Sequence, residues 1–264
     1  MKPLAKRSKT CLTAGVTLVL AVVMIVAGCS QRHVVTSVSR TRLVVDERYD
    51  AIPSPAAQTF IEPYRQHIDS MMSPVVGVAA RNMDVDRPES PLSNLLADIL
   101  VWAGTAYGER PDMAVYNIGG IRAALTAGDI TLGDVIDIAP FNNKICFLTL
   151  SGTQLGELLA QMAASGGEGV SHGVRMTINS KGELLSATLN GDSIDPQKDY
   201  RIATLDYLAQ GNDGLTVLKS ATAVNAPNDD GSNVRYIIVE YMREHMGKDQ
   251  CVDGEIEGRI REVK

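Results

Sequence analysis

The sequence has little histidine, and its 264 residues include four. These are His33, His67, His172 and His245. They are far apart in sequence, and none belongs to a His-x-His, Asp-x-His or Asn-His element. A two-metal hydrolase centre needs several His, Asp and Asn ligands around ions about 3.5–4 Å apart. Distant ligands can still converge in a fold, but the usual ligand spacing is absent. The sequence therefore predicts no metal site and no catalytic residue in this chain.

An excess of basic residues is also missing. The chain holds 25 Lys and Arg against 31 Asp and Glu, a formal net charge of −6. Removal of residues 1–28 would take away four basic residues and no acidic ones, which leaves 21 against 31. A general nucleic-acid binder needs a basic face, so we expect no nucleic-acid polymer as a partner. A small anionic ligand is still compatible, because one arginine and a few backbone amides can hold it.

The apolar run near the N-terminus is too short for a spanning helix, which needs about 20 residues. It extends from Cys11 to Val26, after four basic residues and before Ala-Gly-Cys. This order is typical of an export signal. A cysteine after Val-Ala-Gly resembles the bacterial lipoprotein signal, in which Cys29 becomes the acylated first residue; an ordinary secretory signal is the alternative. We expect residues 1–28 to be a lipoprotein signal peptide, and the protein to be lipid-anchored in the envelope, at the outer membrane facing the periplasm.

Cysteine is scarce, with four residues in the chain. Cys11 would leave with the signal and Cys29 would carry lipid. The other two, Cys146 and Cys251, could pair in an oxidising periplasm. Cys146, however, lies in an apolar segment that reads as a strand, and this favours a buried free thiol.

The remaining chain divides near residue 55. Residues 29–55 are polar with interspersed valines, which predicts a tether that becomes an edge strand, and Pro53 and Pro55 interrupt the chain there. Residues 56–264 alternate between helical and strand patterns. With 45% apolar residues the chain can build a core. We therefore predict a single α+β domain over 56–264.

Several helices carry explicit start signals. Ser90 precedes a proline at the first helical position, and Thr131 and Ser151 each begin a capping sequence. The patterns predict helices over 56–72, 91–107, 132–139, 152–165 and 233–246. They predict strands over 112–116, 144–150, 174–178, 185–189 and 200–205.

Three loop motifs contain the residue types that hold a nucleotide. Residues 117–122 read Asn-Ile-Gly-Gly-Ile-Arg, residues 140–143 read Pro-Phe-Asn-Asn, and residues 207–214 read Tyr-Leu-Ala-Gln-Gly-Asn-Asp-Gly. Adjacent glycines let a backbone approach a ligand closely, an arginine suits a phosphate, and loop aromatics can stack on a base. Taken singly, each motif also fits an ordinary turn, a surface arginine or a core aromatic.

Together these motifs resemble the 5'-nucleotidase family. The resemblance also includes Ser-Asn-Leu at 93–95, Val-Ser at 170–171 and Asp-Tyr-Arg-Ile-Ala-Thr at 199–204. The similarity covers residues 56–225 and concerns its C-terminal, substrate-binding domain. The resemblance implies a layered α/β/β/α fold. It implies that Phe141 and Tyr207 sandwich the base, that Asp213 binds ribose, and that Asn117 and Arg122 contact base, ribose or phosphate. The full set of predicted substrate-binding residues is Asn117, Gly119, Gly120, Arg122, Phe141, Asn143, Tyr207 and Asp213.

The sequence departs from the family pattern in three places. Asn212 replaces a glycine, and asparagine tolerates the left-handed backbone that such a turn needs. His172 interrupts a Val-Ser-Gly segment, which predicts a changed pocket wall. Asp86 occupies a position at which the family has an arginine. Arg87 is one position away and is a weak candidate to replace that arginine.

The family's catalysis belongs to an N-terminal metallophosphoesterase domain whose motifs do not occur in this sequence. We therefore expect a member of a hydrolase family that is inactive alone, with no cofactor of its own. It would serve as the nucleotide- or nucleoside-recognition subunit of a split 5'-nucleotidase, and a separate metallophosphatase chain would supply the divalent metals. The alternatives are a stand-alone periplasmic nucleotide- or nucleoside-binding lipoprotein and an interaction protein that has lost its ligand. Base preference and phosphate number are open.

Overall fold

The computed structural model describes residues 35–44, 46–47, 54–248 and 250–263. The chain forms two units, Met1–Pro55 and Ala56–Lys264. In the first unit, residues 35–44 are exposed and have no regular secondary structure. The edge strand predicted within 29–55 is therefore absent from that stretch, because interspersed valines do not by themselves supply the partner strand that backbone groups need. The predicted signal peptide and Cys29 lie outside the described residues.

Six α-helices and eleven strands occur among the described residues. The helices are α1 (Pro55–Met72), α2 (Pro91–Ala103), α3 (Leu132–Ile138), α4 (Gly152–Ala164), α5 (Asp206–Ala209) and α6 (Val234–Met246). The strands are β1 (Val75–Ala79), β2 (Met113–Tyr116), β3 (Gly128–Thr131), β4 (Ile145–Ser151), β5 (Gly169–Val170), β6 (Val174–Asn179), β7 (Leu184–Leu189), β8 (Asp192–Ser193), β9 (Asp199–Leu205), β10 (Thr222–Asn225) and β11 (Ile260–Val263).

The predicted helix starts are confirmed. Ser90, Thr131 and Ser151 are the N-caps of α2, α3 and α4, and each forms a reciprocal capping box with the residue three positions later. Each box satisfies backbone donors that a helix start leaves unpaired. The helix predicted over 91–107 is α-helical only to Ala103 and continues as a 3₁₀ turn, Gly104–Tyr107, because glycine weakens the α-helix at that point.

The strands form three sheets. Their orders are β10-β4-β9-β2-β5, β11-β6-β7-β8 and β1-β3. Helix α2 packs against β2, β5 and β9, whereas α4 contacts β4, β9 and β7. The result is the mixed α/β domain predicted from the sequence.

The core takes buried side chains from α2, α4 and α6 and from strands of all three sheets. In β4, Ile145, Phe147 and Leu148 are fully buried. Cys146 is a buried free thiol, as predicted, and burial raises its pKa to about 11. Cys251 is free and exposed. The Cys146 thiol is thus inert at neutral pH, since thiolate is the reactive form.

Helix α1 differs from the others because its side chains from Pro55 to Met71 are exposed. Phe60 and Tyr64 contact each other on its surface, with ring centroids 5.6 Å apart. Within the part of the chain that the structure describes, none of the helices combines the length and the apolar character that crossing a membrane requires.

The pairing of three strands determines where the predicted site lies. Strand β9 is parallel to β2, with Ala203 opposite Ala114, and antiparallel to β4, with Leu205 opposite Ile145. The carboxyl ends of β2 and β9 therefore meet the amino end of β4 at one edge of the sheet. The three loop motifs follow β2, precede β4 and follow β9 respectively, so all three emerge at that edge.

Candidate functional site

Seven of the eight predicted substrate-binding residues line one cavity of about 210 Å³. They are Asn117, Gly119, Gly120, Phe141, Asn143, Tyr207 and Asp213. The cavity lies at the sheet edge where the three loops emerge. Residues separated by almost 100 positions in the sequence thus share one concave surface.

Two aromatic rings of this cavity are accessible. Phe141 is 48% exposed and Tyr207 is 37% exposed. The core of the described chain is filled by 51 other hydrophobic side chains, all of them buried. Neither ring is needed to fill the core. Both are therefore free to stack on a planar ligand.

The loop that carries Phe141 is held by the start of α6. The guanidinium of Arg235 donates to the carbonyls of Ala139 (3.2 Å) and Pro140 (2.9 Å). The backbone amide of Val234 donates to the carbonyl of Asn143 at 3.0 Å. Sequence reasoning missed Arg235, because nothing local relates a helix at 234–246 to a loop almost 100 residues earlier.

The carboxylate of Asp213 lies between two side-chain donors. The hydroxyl of Tyr207 donates to Oδ1 at 2.8 Å, and Nδ2 of Asn117 donates to Oδ2 at 2.7 Å. Asp213 has a φ of +54°, in the left-handed region that costs a residue other than glycine about 1–3 kcal/mol. Such a backbone persists only where the surroundings hold it.

The role expected for Asn212 needs correction. Asn212 is not among the residues with positive φ, and the left-handed position is Asp213 instead. The Asn212 side chain donates to the carbonyl of Tyr207 at 2.7 Å. Its contribution is thus a hydrogen bond that closes the loop, which a glycine in the same place could not make.

The loop after β2 forms a 3₁₀ turn, Ile118–Gly120, in which Gly120 approaches Asn117 closely. A Cβ at Gly120 would lie 2.6 Å from Oδ1 of Asn117, so a larger residue would displace this side chain. Oδ1 is buried and has no hydrogen-bond partner among the described residues. The bond from Nδ2 to Asp213 fixes the amide orientation, because a rotated amide would direct Oδ1 at a carboxylate oxygen. The unsatisfied acceptor is therefore packed against Gly120 behind the cavity surface.

A buried carboxylate that sequence reasoning missed supports the same loop. Glu168 is 2% exposed, and its Oε2 accepts from the backbone amide of Ile118 at 2.6 Å. Its Oε1 pairs with the guanidinium of Arg87 at 2.8 Å. Arg87 also donates to the carbonyls of Ser165 and Gly167. Arg87 is therefore engaged behind the loop and lies outside the cavity lining.

Arg122 is the predicted residue that does not line the cavity. It is exposed and borders a separate shallow depression with Asp84 and Ile121. Its Nη1 lies 3.3 Å from the carbonyl of Gly119, to which it donates. The guanidinium is thus next to the loop but outside the enclosed volume.

His172 does not form a wall of the 210 Å³ cavity, contrary to the expectation from the sequence. It lines a wider depression of about 490 Å³ with Trp102 and Tyr241. There Trp102 and Tyr241 contact each other at 5.2 Å between centroids, and Asp98 pairs with the buried Arg259. Rings and charges in this depression are occupied by one another, which disfavours it as the site.

The resemblance implies divalent metals on a separate chain, and a metal centre needs a cluster of ligating side chains. No group of three or more His, Cys, Asp or Glu side chains within the described ranges could hold a metal ion. The described residues therefore do not fit a metal centre, and no chemical step through a metal is assigned to them.

Replacement of Glu168 tests its role in holding the loop. Glu168→Met leaves the Ile118 amide without an acceptor, and we expect it to lower the free energy of unfolding by about 1–3 kcal/mol. Glu168→Gln retains an acceptor and should cost less. Urea unfolding measures both, with Glu157→Gln on the exposed face of α4 as the control. Equal midpoints for Glu168→Met and the unmodified chain would contradict this role.

Comparison with known proteins identifies the domain. The family model described as the 5'-nucleotidase, C-terminal domain, matches residues 74–220. The chain is 31% identical over 242 residues to the trifunctional nucleotide phosphoesterase protein YfkN of Bacillus subtilis, covering 84% of this chain and 16% of that protein. It is 26% identical over 203 residues to protein UshA of Yersinia enterocolitica, covering 75% of this chain and 36% of that protein.

A solved structure agrees with this match. The 5'-nucleotidase precursor from Thermus thermophilus superposes with a TM-score of 0.69 at 26% identity, covering 82% of this chain and 45% of that chain. The present chain thus spans less than half the length of each of these relatives. Because the family model matches more than half of the chain, the chain belongs to the family of 5'-nucleotidase C-terminal domains.

Proposed function

We propose that this chain is the nucleotide- or nucleoside-recognition subunit of a split 5'-nucleotidase, in which a separate metallophosphatase chain carries out hydrolysis. The observation that supports it most is the cavity in which two exposed aromatic rings and one oriented carboxylate meet. Aromatic faces suit a base, and a carboxylate accepts hydrogen bonds from sugar hydroxyls. Family membership supports the same ligand class.

The size of the cavity suggests which part of the ligand it encloses. About 210 Å³ is less than the roughly 300–1,000 Å³ of typical small-molecule pockets. Base and ribose would occupy it, and the phosphate would lie outside. Arg122, which is exposed beside Gly119, would contact that phosphate. A phosphate left at the surface is accessible to the metal centre of another chain.

Asn117 would act on the ligand through Asp213, because its Nδ2 donates to Oδ2 of that carboxylate at 2.7 Å. Its Oδ1 is buried against Gly120 and has almost no accessible surface.

Ligand binding by the aromatic pair is tested by calorimetry with AMP, adenosine and UDP-glucose. Alanine in place of a stacking aromatic costs about 1–3 kcal/mol per base, so the Phe141→Ala/Tyr207→Ala double variant should bind at least about tenfold more weakly. The matched control is Phe60→Ala/Tyr64→Ala, which removes the same ring types from exposed positions of α1. Unchanged affinity in the pocket variant would contradict the proposed clamp.

The split arrangement is tested by adding candidate metallophosphatase chains. Addition of the correct one should raise AMP hydrolysis, and the double pocket variant should not give this increase. Binding without activation by any candidate would favour the stand-alone binder. The assignment of catalysis to another chain would be contradicted if the purified chain alone hydrolysed AMP and Arg122→Ala abolished that activity.

The proposed location is the periplasmic face of the outer membrane, through lipid on Cys29. The basic residues and short apolar run of the signal support it. Cys29→Ser should abolish incorporation of labelled fatty acid and move the protein from the membrane fraction to the soluble fraction. Cys251→Ser is the control, and equal labelling of both variants would contradict the anchor.

A further inference from the structure

The hydroxyl of Tyr207 is an element of the site that base stacking does not use. It donates to Oδ1 of Asp213 at 2.8 Å, while Asn117 Nδ2 donates to Oδ2 at 2.7 Å. Each carboxylate oxygen therefore has one protein donor. The two donors come from different loops, one after β9 and the other after β2, so the carboxylate is fixed from two directions.

The backbone of Asp213 is held in the same orientation. Its φ of +54° is unfavourable for an aspartate, and glycines with positive φ, Gly211 and Gly214, lie on either side of it. The amide of Asn212 closes the loop on the carbonyl of Tyr207. Strain that the surroundings maintain at a polar residue is one form of pre-organisation.

The acceptor capacity that remains on Asp213 matches a vicinal diol. An ionised carboxylate accepts about four hydrogen bonds. With one protein donor on each oxygen, one site on each oxygen is left for ligand. Two hydroxyls on neighbouring carbons, as in ribose, present two donors at a matching separation.

We infer that the Tyr207 hydroxyl is a positioning group that orients Asp213 toward the two hydroxyls of ribose, and that it thereby makes the pocket selective for an intact ribose diol. This inference rests on the proposed nucleoside binding. The residue thus has two separable parts: the ring stacks on the base, and the hydroxyl acts on the sugar through Asp213. The hydrogen bond to Asp213 raises the pKa of the Tyr207 phenol, so the donor proton is retained at neutral pH.

Tyr207→Phe removes the hydroxyl and retains the ring. Calorimetry would compare adenosine with 2',3'-dideoxyadenosine on the unmodified chain and on this variant. We expect the variant to lose about three- to tenfold in affinity for adenosine, the effect of one hydrogen bond, and less than about twofold for the dideoxy compound. Tyr236→Phe, at an exposed tyrosine of α6, is the control. Thermal unfolding and circular dichroism would show that each variant is folded.

The outcomes separate this inference from the function on which it rests. The inference alone would be overturned if the unmodified chain bound both nucleosides with equal affinity. It would also be overturned if Tyr207→Phe lost the same factor in affinity for both. A merely structural role of the hydroxyl would lower both affinities together. If the unmodified chain binds neither nucleoside, the proposed function fails and the inference fails with it.

Discussion

The site depends on one constraint: strand β9 is hydrogen-bonded to β2 on one side and to β4 on the other, and these two strands run in opposite directions. Parallel pairing with β2 and antiparallel pairing with β4 bring three chain segments to one edge of the sheet. The register also links the loops directly, because the backbone of Lys144 exchanges hydrogen bonds with Asp206 across this edge. A shift of one residue would turn the side chains of a strand to the opposite face. The buried β4 and β9 side chains oppose such a shift.

Around this edge, charged residues outside the cavity hold the loops in place. Glu168 fixes the turn after β2, with Arg87 as its counter-ion, and Arg235 fixes the loop before β4. A buried carboxylate is stable when it is both paired and hydrogen-bonded, and Glu168 meets both conditions. The loops are thus held by contacts within the protein, which reduces the ordering that ligand binding requires.

Local signals and long-range contacts differ in how well the sequence revealed them. The caps at Ser90, Thr131 and Ser151 act within three residues, so their sequences sufficed to predict the helix starts. The pocket residues could be proposed because three motifs, taken together, resemble a family. The roles of Glu168 and Arg235 could not be predicted, because they depend on tertiary packing. Glu168 is the buried member of an ion pair, and Arg235 lies on a helix that contacts a loop distant in sequence. For the same reason the sequence did not show that Arg122 lies outside the enclosed volume, or that His172 lines another depression.

The central claim is that the 210 Å³ cavity, and not the wider depression at Trp102, binds the nucleoside part of the ligand. The most direct measurement is a map of backbone amide chemical shifts during titration with AMP. We expect changes at Asn117–Gly120, at Phe141–Asn143 and at Gly211–Gly214, and unchanged signals around Trp102 and Tyr241. Changes centred on Trp102, or no saturable change in the three loops, would contradict it.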